Sequence, residues 1–251
     1  MLALSIAANI VLTLTCLIAF QKLTTVYTDY RHFRTLPVGV SNAGTLASTD
    51  NAVVLFGDSR VELWTPLPAL SGKNIFNAGV VGETTTEMRR RFDNDVLRHN
   101  PQTVVIQAGV NDLTASVTRN IPTPMLVRER MFENLEYFVS TLTAAGTQVV
   151  LTSIIPNKDL NPLRKLFWHP TLQQTITSSN QKLRQLAEKH QAIWLDIDDV
   201  FVDTENEVRT DLYMDTLHIK SEAYAQINKR LYELFQKTLR KVDEGFCYWA
   251  I

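Results

Sequence analysis

From residue 52 to residue 240 the chain alternates short apolar runs with longer stretches that carry one apolar face. The runs AVVLF (52–56), NIF (74–76), TVVIQA (103–108), QVVLTSII (148–155) and AIWLDI (192–197) are strand candidates. Several are rich in Val and Ile without alternating, as in strands covered on both faces. Amphipathic stretches near 84–98, 125–145, 171–190 and 221–240 predict helices between and after them. Ser221 and Glu222 give the last one an N-cap and a first-turn negative charge. This alternation predicts right-handed crossovers and a parallel sheet sandwiched by helices. Ligands bind such sheets beyond the carboxyl ends of the strands. The residues after each run are therefore where chemistry is expected.

A different pattern precedes the first run. Leu2 to Phe20 carries no charge and is about long enough to cross a bilayer as a helix. No Lys or Arg precedes it, and Leu17-Ile18-Ala19 is a poor cleavage site, so an uncleaved anchor is preferred to a signal peptide. The segment is apolar all round, unlike most core helices. Lys22, Arg31 and Arg34 follow it, which by the positive-inside rule favours a cytoplasmic body; export would place the body outside the membrane, and both sides stay open. TLPVGVSNAGTLASTD (35–50) is rich in small and turn residues and reads as a linker. The expected organisation is a membrane anchor over 1–21, a linker over 22–50 and a globular domain over 51–251.

Composition narrows the choice of partner. With 251 residues, 45% of them hydrophobic, the chain can bury one sizeable core. A formal net charge of −1 argues against a general nucleic-acid footprint. Cys16 and Cys247 do not make a disulfide framework.

Four strand ends carry unusual residues. The first run ends in Gly57-Asp58-Ser59, the second leads into NAGVVGETT (77–85), and the third into Gly109-Val110-Asn111-Asp112. Ahead of the last helix stands Asp215-Thr216-Leu217-His218. Each alone is ordinary turn chemistry. In this order they resemble the motif blocks of the SGNH/GDSL hydrolase family, over about residues 51–240. That resemblance implies a three-layer, flavodoxin-like α/β sandwich with a central parallel sheet, here preceded by the hydrophobic helix. It implies a serine esterase with Ser59 as nucleophile, Asp215 and His218 completing the catalytic set, and an oxyanion hole from Ser59, Gly82 and Asn111. Gly79 competes with Gly82 for the second block and reads better as the turn after the strand. Arg60 departs from the apolar residue of many members and bears on substrate preference.

The residue types suit that chemistry. A serine hydroxyl becomes a useful nucleophile when a neighbouring base takes its proton. His218 can act as that base, with Asp215 fixing its tautomer. Backbone N–H groups and the Asn111 amide can receive the charge that develops on a carbonyl oxygen. Ester hydrolysis by this route needs no cofactor or metal. Asp58 and Asp112 read as loop organisers, and His32, His99, His169 and His190 as surface histidines. Trp168, in NPLRKLFWHP (161–170), is a candidate substrate contact with a loop anchor as the favoured alternative. The Asp196–Asp199 run lacks the His or Cys of a recognised metal spacing and reads as a solvated loop. The Gly-x-Ser-x-Gly elbow of α/β-hydrolases is absent. The expected substrates are lipid, short acyl or acetylated glycan esters, with acyl transfer to a sugar hydroxyl as the first alternative and a catalytically idle binding domain as the second.

Overall fold

The computed structural model describes residues 2–34, 52–64, 74–158, 162–205 and 207–246. Helix α1 (Leu2–Arg34) precedes strand β1 (Ala52–Gly57), the short α2 (Ser59–Glu62) and β2 (Asn74–Gly79). Then come α3 (Thr85–Asp95), β3 (Thr103–Gln107), α4 (Val110–Ser116), α5 (Pro124–Ala144) and β4 (Gln148–Thr152). The chain continues through α6 (Pro162–Phe167), α7 (Leu172–Lys189), β5 (Ile193–Leu195), α8 (Asp198–Phe201) and α9 (Ser221–Phe246).

All four strand pairings are parallel, and the order is β2-β1-β3-β4-β5. Alternate residues of the central strands enter two cores. Val54, Phe56, Val104, Ile106, Val149 and Leu151 pack with α3, α5 and α7 on one face. Val53, Leu55, Val105 and Val150 meet α8 and α9 on the other. This is the expected three-layer α/β sandwich. From β1 the chain steps to β2, whereas β3, β4 and β5 build outward on the opposite side. That reversal leaves a crevice at the carboxyl ends of β1 and β3, where open α/β sheets bind ligands.

The element boundaries differ from expectation at informative places. The expected fourth strand runs to 155, but pairing ends at Thr152 because Asn180 takes over the backbone of Ile154. Its amide oxygen accepts from Ile154 N–H at 2.8 Å and its nitrogen donates to Ile154 C=O at 3.0 Å. The second strand runs on to Gly79, where the Asn77 side chain accepts from Gly79 N–H and donates to Val61 C=O. Asp198 is no plain loop residue: it opens α8 beside Asn180, and burial pushes its carboxyl up to about 6 against hydrogen bonds from Ser153 and Asn180. His99, expected on the surface, is buried against the Phe76 ring.

The apolar N-terminal helix is present and continues without a break to Arg34, so residues 22–34 of the expected linker are helical. The remainder of that linker, and the tail from Cys247, lie outside the described residues.

Candidate active site

Ser59 opens α2 two residues beyond the end of β1, with Asp58 between them. The turn is sharp because α2 packs directly over the ends of β1 and β2. A Cβ on Gly79 would lie 2.0 Å from the Glu62 backbone nitrogen, so only glycine allows this approach. Asp58 caps the helix, accepting from Arg60 N–H at 2.9 Å. Opening a helix leaves the Ser59 N–H without an intrahelical acceptor, and the hydroxyl sits at a strand end with 6% of the residue exposed.

His218 arrives from the segment before α9. Its Nε2 is 3.0 Å from Ser59 Oγ, and its Nδ1 is 2.8 Å from Asp215 Oδ2. The other Asp215 oxygen accepts from Leu217 N–H at 2.7 Å and His218 N–H at 2.9 Å. Partial burial raises the Asp215 carboxyl, but hydrogen bonds from the His218 ring and those two N–H groups outweigh it and hold the group at about 2. An ionised carboxylate only accepts. The Nδ1 nitrogen therefore carries the proton and Nε2 is left to accept from the Ser59 hydroxyl.

The other expected residues flank the serine, because β2 and β3 are the neighbours of β1. Gly82 lies in the turn between β2 and α3 with φ 73°, a left-handed conformation that glycine adopts without strain. The competing Gly79 is the last residue of β2, as expected of the residue closing that strand. Asn111 lies in the first turn of α4, and its amide donates to Glu83 C=O at 2.9 Å, tying the two loops together. Beside it, Asp112 accepts from the Thr85 N–H at 2.9 Å and the Thr85 hydroxyl at 2.8 Å. Burial dominates over these bonds and pushes the Asp112 carboxyl up to about 7.

Two expectations need correction. Arg60 is buried, with 1% exposed, which excludes it from substrate contact. Its guanidinium instead donates to Leu217 C=O at 3.0 Å and to Ile155 C=O at 2.8 Å, bracing the His218 segment from beneath. Burial lowers its pKa, opposed chiefly by the Asp58 charge. Trp168 is also buried, and its indole N–H donates to Tyr27 OH at 2.9 Å. It is the loop anchor, and the substrate-contact reading fails because the ring is covered.

Arg91 had no sequence signal. It is buried in α3 and binds Glu83 at 2.7 Å, Asp95 at 3.0 Å, Ala78 C=O at 2.8 Å and Gly57 C=O at 3.0 Å. It thereby locks the ends of β1 and β2 to the Gly82–Glu83 turn. Among the described residues no cluster of His, Cys, Asp and Glu could hold a metal ion.

A serine, an imidazole and a carboxylate in line at the switch point of a parallel sheet define a serine-hydrolase geometry. The chain belongs to the GDSL-like Lipase/Acylhydrolase family, which matches residues 53–226, and it is an ester-cleaving hydrolase. It is 31% identical over 137 residues to the uncharacterized lipoprotein YqeF of Bacillus subtilis, covering 48% of this chain and 55% of that relative's length. It is 26% identical over 206 residues to the platelet-activating factor acetylhydrolase IB subunit alpha2 of Rattus norvegicus, covering 76% and 79% of the two chains. Its fold is shared with a putative acylhydrolase of Bacteroides fragilis, with a TM-score of 0.62, 24% identity and coverage of 77% and 92%. The N-terminal helix is long and apolar enough to cross a membrane, a property that signal sequences share.

Proposed function

We propose that the protein is a membrane-anchored serine esterase in which Ser59 attacks the carbonyl carbon of a carboxylic ester. The observation that carries this reading is the Ser59–His218–Asp215 relay, with contacts of 3.0 and 2.8 Å. His218 Nε2 takes the hydroxyl proton as the Ser59 Oγ–carbon bond forms, and the Asp215 carboxylate stabilises the imidazolium. Negative charge on the carbonyl oxygen is received by the N–H groups of Ser59 and Gly82 and by the Asn111 amide. As the tetrahedral species collapses, His218 protonates the departing alcohol and an acyl-Ser59 ester remains. Water, deprotonated by the same imidazole, then releases the acid and restores the serine.

The PAF acetylhydrolase and lipoprotein relatives lend support to a small acyl ester and to membrane association. The anchor reading is supported by α1 itself, whose Ile10, Leu12, Leu14, Leu17 and Ile18 are all more than half exposed.

Labelling of the full chain with a fluorophosphonate probe tests the nucleophile. Wild type is expected to label and to turn over p-nitrophenyl acetate. Ser59→Ala is expected to lose labelling and about 10⁶-fold in kcat, the scale seen when such a set loses its nucleophile. Retained labelling in Ser59→Ala would assign the chemistry to another side chain. Product analysis in the presence of an alcohol separates hydrolysis from acyl transfer.

A further inference from the structure

We infer that the catalytic edge of the sheet is a membrane-contact surface, and that the ester substrate is presented to Ser59 from a phospholipid bilayer. The inference rests on the anchor and nucleophile readings above and adds where the site sits.

The topology fixes which parts of the chain share the catalytic edge. Helix α5 ends just before β4 begins, so its start, and the 117–123 connection leading to it, lie at the carboxyl ends of the strands. Helix α7 likewise ends before β5 begins, which puts the 168–171 connection at the same edge. The two connections are stitched together by a Thr118–Trp168 bridge and by Arg119 N–H to Phe167 C=O and His169 N–H to Val117 C=O, both 2.7 Å.

Helix α1 docks on this stitch. The Thr28 hydroxyl donates to Arg119 C=O at 3.1 Å and Tyr27 accepts from Trp168. The Phe167 ring lies 5.1 Å from Tyr27 and 6.1 Å from Phe20, centre to centre. From Phe20 to Thr28 the helix rises only about 12 Å. Phe20 is also the last residue of the apolar run, followed by Gln21 and the first charge, Lys22. A bilayer enclosing that run would therefore have its surface at the dock, beside the edge that carries the serine.

The surface there is suited to lipid. Outside α1, the exposed large apolar side chains among the described residues include Val81, Met125, Leu126, Leu166 and Met214, all at this edge; Leu63 and Tyr232 are the others. Val81 adjoins Gly82 and Met214 adjoins Asp215. Exposed Arg119 and Lys165 flank the dock, placing positive charge where anionic headgroups would lie. Apolar residues concentrated on one face mark an interaction site rather than scattered surface variation.

The test uses the full chain in vesicles of phosphatidylcholine and phosphatidylglycerol. In a Cys16→Ser/Cys247→Ser background, an environment-sensitive fluorophore is attached at Met125→Cys, Leu166→Cys or, as control, Tyr232→Cys. Blue shifts and quenching by brominated lipid are expected at 125 and 166 and not at 232. Equal signals at all three positions, or none at the edge, would overturn the inference whatever the activity. A second arm compares a vesicle-embedded acyl ester with soluble p-nitrophenyl acetate. Met125→Glu/Leu166→Glu is expected to slow the embedded ester about tenfold and leave the soluble one unchanged. An unaffected embedded ester would sink the surface proposal. Failure of wild type to label with fluorophosphonate would sink the nucleophile reading instead, and the fluorescence arm would still decide the surface.

Discussion

The two flanks of Ser59 are built on opposite plans. On the side of Gly82 and Asn111, the support is a buried network of side chains. Arg91, 2% exposed, holds Glu83, Asp95 and two strand-end carbonyls, and Asp112 holds Thr85. On the side of His218, the reacting groups are open, with the histidine and aspartate side chains 30% and 46% exposed. Their segment is held by donors to backbone carbonyls: Arg60 to Leu217 and Ile155, and Tyr213 OH to Pro156 at 2.7 Å. The division fits the roles proposed for the two flanks. Dipoles that stabilise a transient anion act best when fixed in advance in a water-poor setting. A base that must pass protons to a departing alcohol and take them from water benefits from access to solvent.

The largest effect that would break this comparison comes from the closed flank. Asn111→Ala removes one donor to the developing anion and is expected to lower kcat by about 10²–10³ with little change in KM. The Ser59–His218–Asp215 relay on the other flank would remain, so fluorophosphonate labelling should persist at a reduced rate. Near-normal turnover would mean that the buried network serves stability alone.

The open flank predicts a smaller loss. Arg60→Met strips Leu217 C=O and Ile155 C=O of their buried donor, which costs about 1–3 kcal/mol of stability per unsatisfied group. As a positioning residue Arg60 is expected to act on kcat, roughly tenfold, by loosening the Ser59–His218 contact, with KM unchanged. Arg60→Lys, which keeps the charge and one donor, should recover part of the rate. A loss of melting temperature with kcat intact in both variants would reduce Arg60 to packing.

The motif residues and their supports were not equally legible in sequence. Asp215-Thr216-Leu217-His218 and Gly109-Val110-Asn111-Asp112 are local patterns, and residues three apart meet within one loop, as His218 and Asp215 do. The strand candidates were readable for a similar reason: Val- and Ile-rich runs report burial on both faces, and the sheet confirms all five. The supports were not legible. Arg60 looked like a specificity residue because it departs from the apolar residue of many family members, yet its partners are carbonyls at 155 and 217. Arg91 sits in an amphipathic stretch where Arg89 and Arg90 look the same, and only the fold selects which of the three turns inward. Asn180 shortens β4 through a contact with Ile154 that no period reveals. A carbonyl has no sequence signature, so residues whose work is to bind carbonyls stay silent until the chain is folded.

The smallest effect sharpens the comparison by asking what the closed flank costs. The Asp112 carboxyl is raised to about 7, mainly by burial, against about 3.9 in an unfolded chain. The folded state therefore holds a proton that the unfolded state gives up. The stability linked to that proton is complete below about pH 4 and is lost as pH rises through about 7, at up to about 1.4 kcal/mol per pH unit. Asp112→Asn keeps an acceptor for Thr85 N–H and offers the Thr85 hydroxyl a donor in place of an acceptor, but it cannot ionise. Thermal melts from pH 4 to 8 should show wild type declining more steeply than Asp112→Asn. The comparison of slopes matters because Asp58 and Asp198 are also raised by burial and act in the same direction in both proteins. Parallel curves would mean that Asp112 is already ionised in the fold, and that the closed flank carries a buried charge held by Thr85.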